Sequence, residues 1–207
     1  QIAEKKCRNA IRQAHALNPD AIIAVIGCFS QLNPQAIEAI EGVDIILGND
    51  DKHKLVEYVL NHHKTNSPEN KVFDISRLKT FYTSYSSDDR TRSFLKVQDG
   101  CDYFCTYCAI PFARGRSRNE DIETIVDCAK QLAKEGKKEV VLTGVNIGDF
   151  GKSTNETFLD LIKRLDEIQE IQRYRISSIE PNLITEEVID FCATSRAFLP
   201  HFHIPLQ

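Results

Sequence analysis

The chain has 207 residues, of which 42% are hydrophobic and 27% are charged, a composition typical of a globular protein with one or two domains. Its formal net charge of −4 argues against a protein that coats nucleic acid through charge alone, because neutralising phosphates requires clustered Lys and Arg. The sequence shows neither a signal-peptide pattern nor an apolar run long enough to span a bilayer, so we expect a cytoplasmic protein without a membrane partner.

The N-terminal 62 residues alternate between helical and strand patterns. Apolar residues at helical spacing predict the first helix, and a solid apolar run after it predicts a strand buried on both faces. In order, the predicted elements are a helix over 2–17, a strand over 21–26, a helix over 33–40, a strand over 43–47 and a helix over 50–62. This alternation predicts a small parallel α/β domain over residues 1–62. Since such a domain normally opens with a strand, we expect part of it to precede residue 1.

A polar segment separates this domain from the next one. Residues 63–90 are rich in Asn, Ser, Thr, Lys and Asp and are predicted to be a linker. The elements predicted after it are a strand over 94–98, a helix over 120–135, a strand over 139–143, a helix over 156–168, a strand over 173–178, a helix over 185–195 and a strand over 201–205. This series predicts a partial (β/α) barrel over residues 91–207. Because it ends on a strand without a covering helix, we expect a barrel that is open or completed by further residues.

Three cysteines with C-x3-C-x2-C spacing follow the first predicted barrel strand: Cys101, Cys105 and Cys108. The spacing favours an iron–sulfur cluster, because three thiolates leave one iron of a cubane open to a non-protein ligand. Structural zinc requires a fourth ligand, and none lies at pair spacing, so zinc or inert thiols are the less favoured alternatives. A disulfide is less favoured still, because 7 Cys without a secretory segment fit a reducing compartment.

Polar residues follow the predicted barrel strands at the ends where ligands collect in such sheets. The glycine-rich loop 142–151 suits the close approach of a ligand, although a flexible turn explains its composition equally well. Glu180 ends the third strand and could bind a ligand amine or cap the next helix. Arg114, Arg116 and Arg118 follow the cysteine loop, where they could hold phosphates or form a solvated basic loop.

The remaining chemically active residues are expected to have packing roles. His201 and His203 share one face of a predicted strand, which favours packing over metal binding. The cysteines outside the triplet are expected to be small buried hydrophobes; they are Cys7, Cys28, Cys128 and Cys192. No catalytic serine triad, phosphate-binding loop or dinucleotide fingerprint is visible in the sequence.

The surroundings of the triplet resemble the signature of the radical S-adenosylmethionine methylthiotransferases. Tyr107 precedes the last cysteine, and the run A-I-P-F-A-R-G-R-S-R over 109–118 follows it. The segments 27–31 and 42–48 resemble the N-terminal domain of that family, so the resemblance covers nearly the whole chain. Within the family, 143–149 and 175–181 resemble the enzymes that modify N6-threonylcarbamoyladenosine beside the tRNA anticodon, and differ from the isopentenyladenosine and ribosomal-protein branches.

The resemblance implies two [4Fe–4S] clusters in the complete family member. The triplet would bind the first, and Cys28 corresponds to the last of three cysteines that bind the second. The counterparts of the other two would precede Gln1, and Cys7 matches no family ligand. The family's C-terminal RNA-binding domain has no counterpart in the sequence.

The resemblance also implies the reaction. S-adenosylmethionine would bind the open iron, and an electron from an external donor would cleave its sulfonium and yield a deoxyadenosyl radical. The radical would abstract hydrogen from C2 of the modified adenine, where a sulfur associated with the second cluster would be attached and then methylated from a second S-adenosylmethionine. Tyr107, Thr143, Gly144, Asn146 and Glu180 are the residues expected to line the S-adenosylmethionine pocket. Arg114, Arg116 and Arg118 are the expected phosphate contacts to the tRNA anticodon loop. The same chemistry on another substrate and a non-catalytic metal-binding module are the alternatives, and the oligomeric state is left open.

Overall fold

The computed structural model describes residues 2–86 and 92–205. The chain divides into two compact units: the first unit comprises residues 1–78 and 104–115, and the second unit comprises 79–103 and 116–207. Residues 87–90 of the predicted linker and residue 91 of the predicted barrel lie outside the described residues. Across the described ranges, no helix has both the length and the apolar character needed to cross a bilayer.

A three-stranded parallel sheet forms the centre of the first unit. Its strands are β1 (Ala24–Ile26), β2 (Ile45–Leu47) and β3 (Glu69–Lys71), in the order β1-β2-β3. Val25 pairs with Ile46, and Ile46 pairs with Asn70. All three residues of β2 are inaccessible to solvent, because the central strand has a neighbour on each edge and side chains covering both faces.

The α-helices of the first unit, in the part of the chain that the structure describes, are α1 (Ile2–Leu17), α2 (Cys28–Leu32), α3 (Pro34–Glu38), α4 (Leu55–Asn61) and α5 (Ile110–Arg114). Ile11 of α1 and Ile37 of α3 pack with Val25 and Ile46 in a small apolar core. Helix α5 packs against α2. Pro111 stands in the first turn of α5, where its missing N–H leaves no hydrogen bond unmade.

Two predictions for the first unit are wrong in detail. Residues 63–90 are not only a linker, because β3 lies within them and adds the third strand of the sheet. Its residues are polar, and the side chains of Glu69 and Lys71 form an ion pair of 2.7 Å, so hydropathy did not indicate a strand. Strand β1 is shorter than predicted and is not buried on both faces, since Ile26 is 45% exposed on an edge strand.

The second unit contains a four-stranded sheet in the order β4-β5-β6-β7. Its elements are the strands β4 (Ser84–Tyr85), β5 (Arg92–Lys96), β6 (Glu139–Thr143) and β7 (Arg173–Ile176), with helices α6 (Ile122–Lys134), α7 (Phe158–Asp166) and α8 (Glu186–Thr194). Strand β4 is antiparallel, whereas β5, β6 and β7 are parallel and are joined through α6 and α7. This arrangement confirms the predicted α/β class and a partial (β/α) barrel.

Local signals fix where the helices of the second unit begin. The side chains of Asp121, Thr157 and Thr185 each accept a hydrogen bond from a backbone N–H in the first turn of α6, α7 and α8. Such caps satisfy donors that have no partner within the helix. The buried stripe of α7 includes Leu161 and Leu165, each of which contributes about 1.5–3 kcal/mol through burial.

The predicted strand over 201–205 is absent from the described structure. Isolated parallel bridges, Tyr174 to Phe198 and Ser178 to His203, align the segment with the β7 edge without forming a regular ladder. Pro200 and Pro205 flank the segment, and neither can donate a ladder hydrogen bond. His203 is exposed, and its Nδ1 lies 2.9 Å from the Ser178 hydroxyl.

Candidate functional site

The cysteine loop begins in the second unit, to which Cys101 belongs. Just before it, Asp99 and Arg118 form a two-way backbone bridge, with N to O distances of 3.0 and 2.9 Å. Gly100 has a φ of 74°, a conformation that glycine adopts without steric cost, and its N–H donates to Asp99 Oδ1 at 2.9 Å. The base of the loop is therefore held on both sides by backbone hydrogen bonds.

Cys105 and Cys108 belong to the first unit. A tight turn joins them, in which Cys108 N donates to Cys105 O at 2.9 Å. Both thiols are partly exposed and stand outside any disulfide. Phe104 has a φ of 50° and packs edge-to-face on Phe112 of α5, with ring centroids 5.5 Å apart. The aromatic contact connects the turn to the helix that follows it.

The donor set of the triplet fits an iron–sulfur cluster. Cysteine thiolates are the protein ligands that such clusters take, and the three cysteines lie partly exposed on loop residues. Over 2–86 and 92–205, no group of three or more His, Cys, Asp or Glu side chains is arranged to hold a metal ion. The chemistry of the three donors is therefore the observation that fits the triplet to a cluster.

Cys28 opens α2 at the carboxyl end of β1, directly after Gly27, whose φ is 108°. Asn49 reaches it from the end of β2: Asn49 Nδ2 lies 3.9 Å from Cys28 Sγ and donates to Ala113 O at 2.6 Å. Asn49 is only 7% exposed. One buried amide thus connects the Cys28 thiol with α5, which follows the cysteine turn.

Gln31 holds the backbone that carries Asn49. Its Oε1 accepts from Asn49 N at 2.9 Å, and its Nε2 donates to Phe73 O at 2.9 Å. A Cβ on Gly48 would lie 2.5 Å from Gln31 Oε1, so a side chain at this position would displace the Gln31 amide. Motif reasoning missed Asn49, although Gln31 and Gly48 both lie in the segments that resemble the family.

In the second unit, the structure brings together the predicted cofactor residues at the end of β6. Thr143 is the last residue of the strand, and Gly144 and Asn146 follow it. Asn146 Oδ1 accepts from Glu180 N at 3.2 Å. Within the described residues, Asn146 Nδ2 is buried and has no hydrogen-bond partner. A buried donor without an acceptor is costly, so this amide fits a site in which a ligand supplies the acceptor.

Tyr107, the other predicted cofactor residue, belongs to the first unit and is 73% exposed. Its position directly before Cys108 is the feature that associates it with the cofactor.

The three predicted phosphate contacts differ in their environments. Arg118 is only 7% exposed; its Nη1 donates to Arg116 O at 3.0 Å, and its Nη2 lies 3.6 Å from Asp99 Oδ2. The prediction for Arg118 is corrected, because these internal contacts hold its guanidinium in the fold. Arg116 extends outward, 3.6 Å from Asp102. Arg114 ends α5 in the first unit.

A further polar cluster lies beside the cofactor loop of the second unit. Asp149 is fully buried and pairs with Lys152 at 2.5 Å; this hydrogen bond raises the pKa of Lys152. Lys152 Nζ lies 5.8 Å from the ring centroid of Tyr103, whose hydroxyl accepts from Asn182 at 2.7 Å. An adjacent cleft of about 400 Å³ is lined by Lys152, Asn182, Phe158 and Leu183, among others. Motif spacing did not indicate this cleft.

Comparison with protein families identifies the class. Residues 95–207 match the model of the radical SAM superfamily, so the chain belongs to that superfamily. Threonylcarbamoyladenosine tRNA methylthiotransferase MtaB of Bacillus subtilis (strain 168) is 41% identical to the chain over 208 residues, which cover 99% of this chain and 46% of the relative. The predicted resemblance to methylthiotransferases is thereby confirmed.

A relative with a different named product is also similar. The tRNA-2-methylthio-N(6)-dimethylallyladenosine synthase of Pelagibacter ubique (strain HTCC1062) is 31% identical over 192 residues, covering 90% of this chain and 43% of the relative. The chain spans about half the length of the curated relatives that it matches.

Among solved structures, the radical S-adenosylmethionine methyltransferase TsrM of Kitasatospora setae, bound to tryptophan and a SAM analogue, is similar in fold. The TM-score is 0.59 at 16% sequence identity, and the match covers 94% of this chain and 43% of TsrM. This likeness supports the fold alone.

Proposed function

We propose that the chain forms the radical-generating part of an enzyme that adds a methylthio group to N6-threonylcarbamoyladenosine in tRNA. The observation that carries the proposal is the rim of the second unit. Cys101 follows β5 there, and the side-chain nitrogen of Asn146 is buried without a hydrogen-bond partner among the described residues. The substrate assignment is supported by the 41% identity to a threonylcarbamoyladenosine tRNA methylthiotransferase.

In this proposal, Cys101, Cys105 and Cys108 hold a [4Fe–4S] cluster, and Cys28 contributes to a second one. When bound, the cluster and S-adenosylmethionine supply one-electron cleavage of a carbon–sulfur bond, while the protein supplies binding and orientation. In the first unit, Asn49 holds the Cys28 thiol through a donated hydrogen bond. Hydrogen bonds to a ligand sulfur are one means by which a protein tunes a cluster.

Thr143, Asn146 and Glu180 contribute the polar groups that orient S-adenosylmethionine, and Tyr107 contributes an aromatic ring. Asn146 Nδ2 donates to an acceptor atom of the cofactor, which satisfies the amide. Gly144 lines the same pocket, and a Cβ there would lie 2.9 Å from Gln98 Oε1 and 2.7 Å from the Ile147 side chain. Its role in the pocket is to permit close packing beneath the loop.

The partner is a tRNA anticodon loop, in which the target base must leave its stack before it can enter an active site. Arg114 and Arg116 are the proposed phosphate contacts. Arg118 is not proposed as a phosphate contact, because it is buried and its guanidinium binds groups within the fold. The proposal also includes an external electron donor and a cytoplasmic location. The other named relative adds the possibility of a different adenosine substrate, which the experiment below distinguishes.

Nucleoside analysis of tRNA from a deletion strain tests the substrate. We expect the methylthio derivative of threonylcarbamoyladenosine to disappear and to return when the intact gene is restored, but not when it carries Cys105→Ala. If that derivative persists and the methylthio derivative of isopentenyladenosine disappears instead, the substrate assignment is wrong. If both persist, the proposed enzymatic function on tRNA is wrong.

A further inference from the structure

Gln98 connects two loops of the second unit. It lies two residues beyond β5 and is completely buried. A buried primary amide is stable only when its donors and acceptor are satisfied. The side-chain nitrogen and the side-chain oxygen of Gln98 both make hydrogen bonds within the second unit, so the side chain is fixed on both sides.

The amide nitrogen of Gln98 holds the base of the cysteine loop. It lies 2.7 Å from Gly100 O, 3.1 Å from Asp99 O and 2.9 Å from Ser117 Oγ. Gly100 immediately precedes Cys101. Ser117 immediately precedes Arg118, whose backbone pairs with that of Asp99. One donor group therefore contacts both the outgoing and the returning side of the loop base.

The amide oxygen of Gln98 holds the loop that follows β6. It accepts from Val145 N and from Asn146 N, both at 2.9 Å. Asn146 in turn accepts from Glu180 N at 3.2 Å. The absence of a side chain at Gly144 makes room for this oxygen, since a Cβ would lie 2.9 Å from it. The side-chain amide of Gln98 thus positions Asn146, whose side-chain nitrogen has no hydrogen-bond partner among the described residues.

We propose that Gln98 is a positioning residue that couples the geometry of the cysteine loop at Cys101 to the cofactor loop at Asn146. The amide is planar and short, so a displacement of the Asp99–Gly100 carbonyls is transmitted to the Val145 and Asn146 amides through one rigid group. The consequence for cofactor binding rests on the proposed function, whereas the mechanical coupling does not.

The coupling is tested in metal-free protein with Gln98→Glu. Glutamate keeps an oxygen for Val145 and Asn146 but replaces the donor to the cysteine-loop base with a carboxylate oxygen. We expect amide hydrogen exchange over 143–148 to accelerate about tenfold, which corresponds to the loss of roughly one buried hydrogen bond. Because the introduced glutamate would still offer these amides an acceptor oxygen, such an acceleration would come from the lost contacts at the base of the cysteine loop. Wild-type exchange over 143–148, with faster exchange only near Gly100, would overturn the coupling.

Two further variants keep this test decisive. Ser93→Ala removes a buried hydroxyl from β5, the strand that precedes Gln98. This hydroxyl has no hydrogen-bond partner in the described structure, so the substitution should leave exchange over 143–148 unchanged. If Gln98→Glu does not fold, Ser117→Ala removes a single partner of the Gln98 nitrogen. It should accelerate exchange over 143–148 by about two- to threefold, and no acceleration overturns the coupling.

The link to the cofactor has its own measurement. After anaerobic reconstitution with iron and sulfide, equilibrium dialysis with S-adenosylmethionine should give about tenfold weaker binding for Gln98→Glu than for wild type at equal iron content. Equal affinities would overturn the cofactor part of the inference. If wild-type protein binds no S-adenosylmethionine, the proposed function fails, while the hydrogen-exchange result still decides whether Gln98 couples the two loops.

Discussion

The two units build sheets of different size, entirely parallel in the first unit and with one antiparallel strand in the second, and they hold their chemical groups in different ways. Strand β2 of the first unit has three residues, whereas β6 of the second unit has five. The core of the first unit is small, while that of the second extends from the sheet to α6, α7 and α8. A short strand buries little apolar surface, so the first unit has less packing with which to fix its site.

The first unit compensates with side chains that bind backbone groups. Asn49 and Gln31 link the ends of β1 and β2 to α5 and to Phe73, and Ser30 donates to Leu47 O at 2.6 Å. In the second unit, Gln98 also binds backbone groups of two loops, but those loops rest in addition on a large core and on close backbone packing. Polar substitutions should therefore affect the first unit most, and steric substitutions the second.

The largest effect is expected for Gly151→Ala in the second unit. Gly151 has a φ of 91°, and a Cβ would overlap the backbone carbonyl of Glu156. Left-handed strain and overpacking together should reduce the free energy of unfolding by about 2–4 kcal/mol, measured by chemical denaturation. Gly136 has a φ of 81° with open space around it, so Gly136→Ala should cost only about 1–2 kcal/mol. Equal costs would show that the packing around Gly151 is not tight.

The next effect is expected for Asn49→Ala in the first unit. The substitution leaves the Ala113 carbonyl without its 2.6 Å donor, which should cost about 1–3 kcal/mol. It also removes the contact to Cys28 Sγ, so alkylation of Cys28 followed by mass spectrometry should change in rate. Asn70→Ala is the matched control, because the Asn70 amide contacts Glu38 at an exposed position. If Asn70→Ala lowers the free energy of unfolding as much as Asn49→Ala does, Asn49 does not have the tethering role assigned to it.

The smallest effect at neutral pH concerns Cys192 in α8. Burial raises the pKa of this thiol from 9.0 to about 11. Since the folded pKa lies above the unfolded value, its contribution to stability is complete below pH 9 and is lost as the pH rises toward 11. Unfolding measured from pH 8 to 11 should show a steeper decline for wild type than for Cys192→Ala. Parallel declines would mean that the thiol ionises normally in the folded protein.

Sequence patterns predicted the elements whose burial is periodic. Helices α1, α6, α7 and α8 carry apolar stripes, and strand β6 alternates between buried and partly exposed residues. Strand β3 was missed because its polar residues join the sheet through backbone bonds alone. Helix α5 was missed because five residues carry too little periodicity to detect.

The candidate site was predictable to the extent that its chemistry depends on neighbours in sequence. Cysteine spacing indicated the cluster loop, and strand ends indicated Asn146 and Glu180. Gln98 and Asn49 were missed because their partners lie far along the chain: Gln98 bonds to Val145 and Asn146, and Asn49 bonds to Ala113. A side chain that connects distant loops has no signature in local sequence, and the burial of Arg118 was hidden for the same reason.

The iron content of anaerobically reconstituted protein tests the central claim most directly. Cys105→Ala should lose about four iron atoms per chain relative to wild type, together with the visible absorbance of that cluster. Cys7→Ala should lose neither, because Cys7 lies in α1 and packs against the apolar core of the first unit. Iron that is retained in Cys105→Ala and lost in Cys7→Ala would contradict the assignment of the triplet as the cluster site.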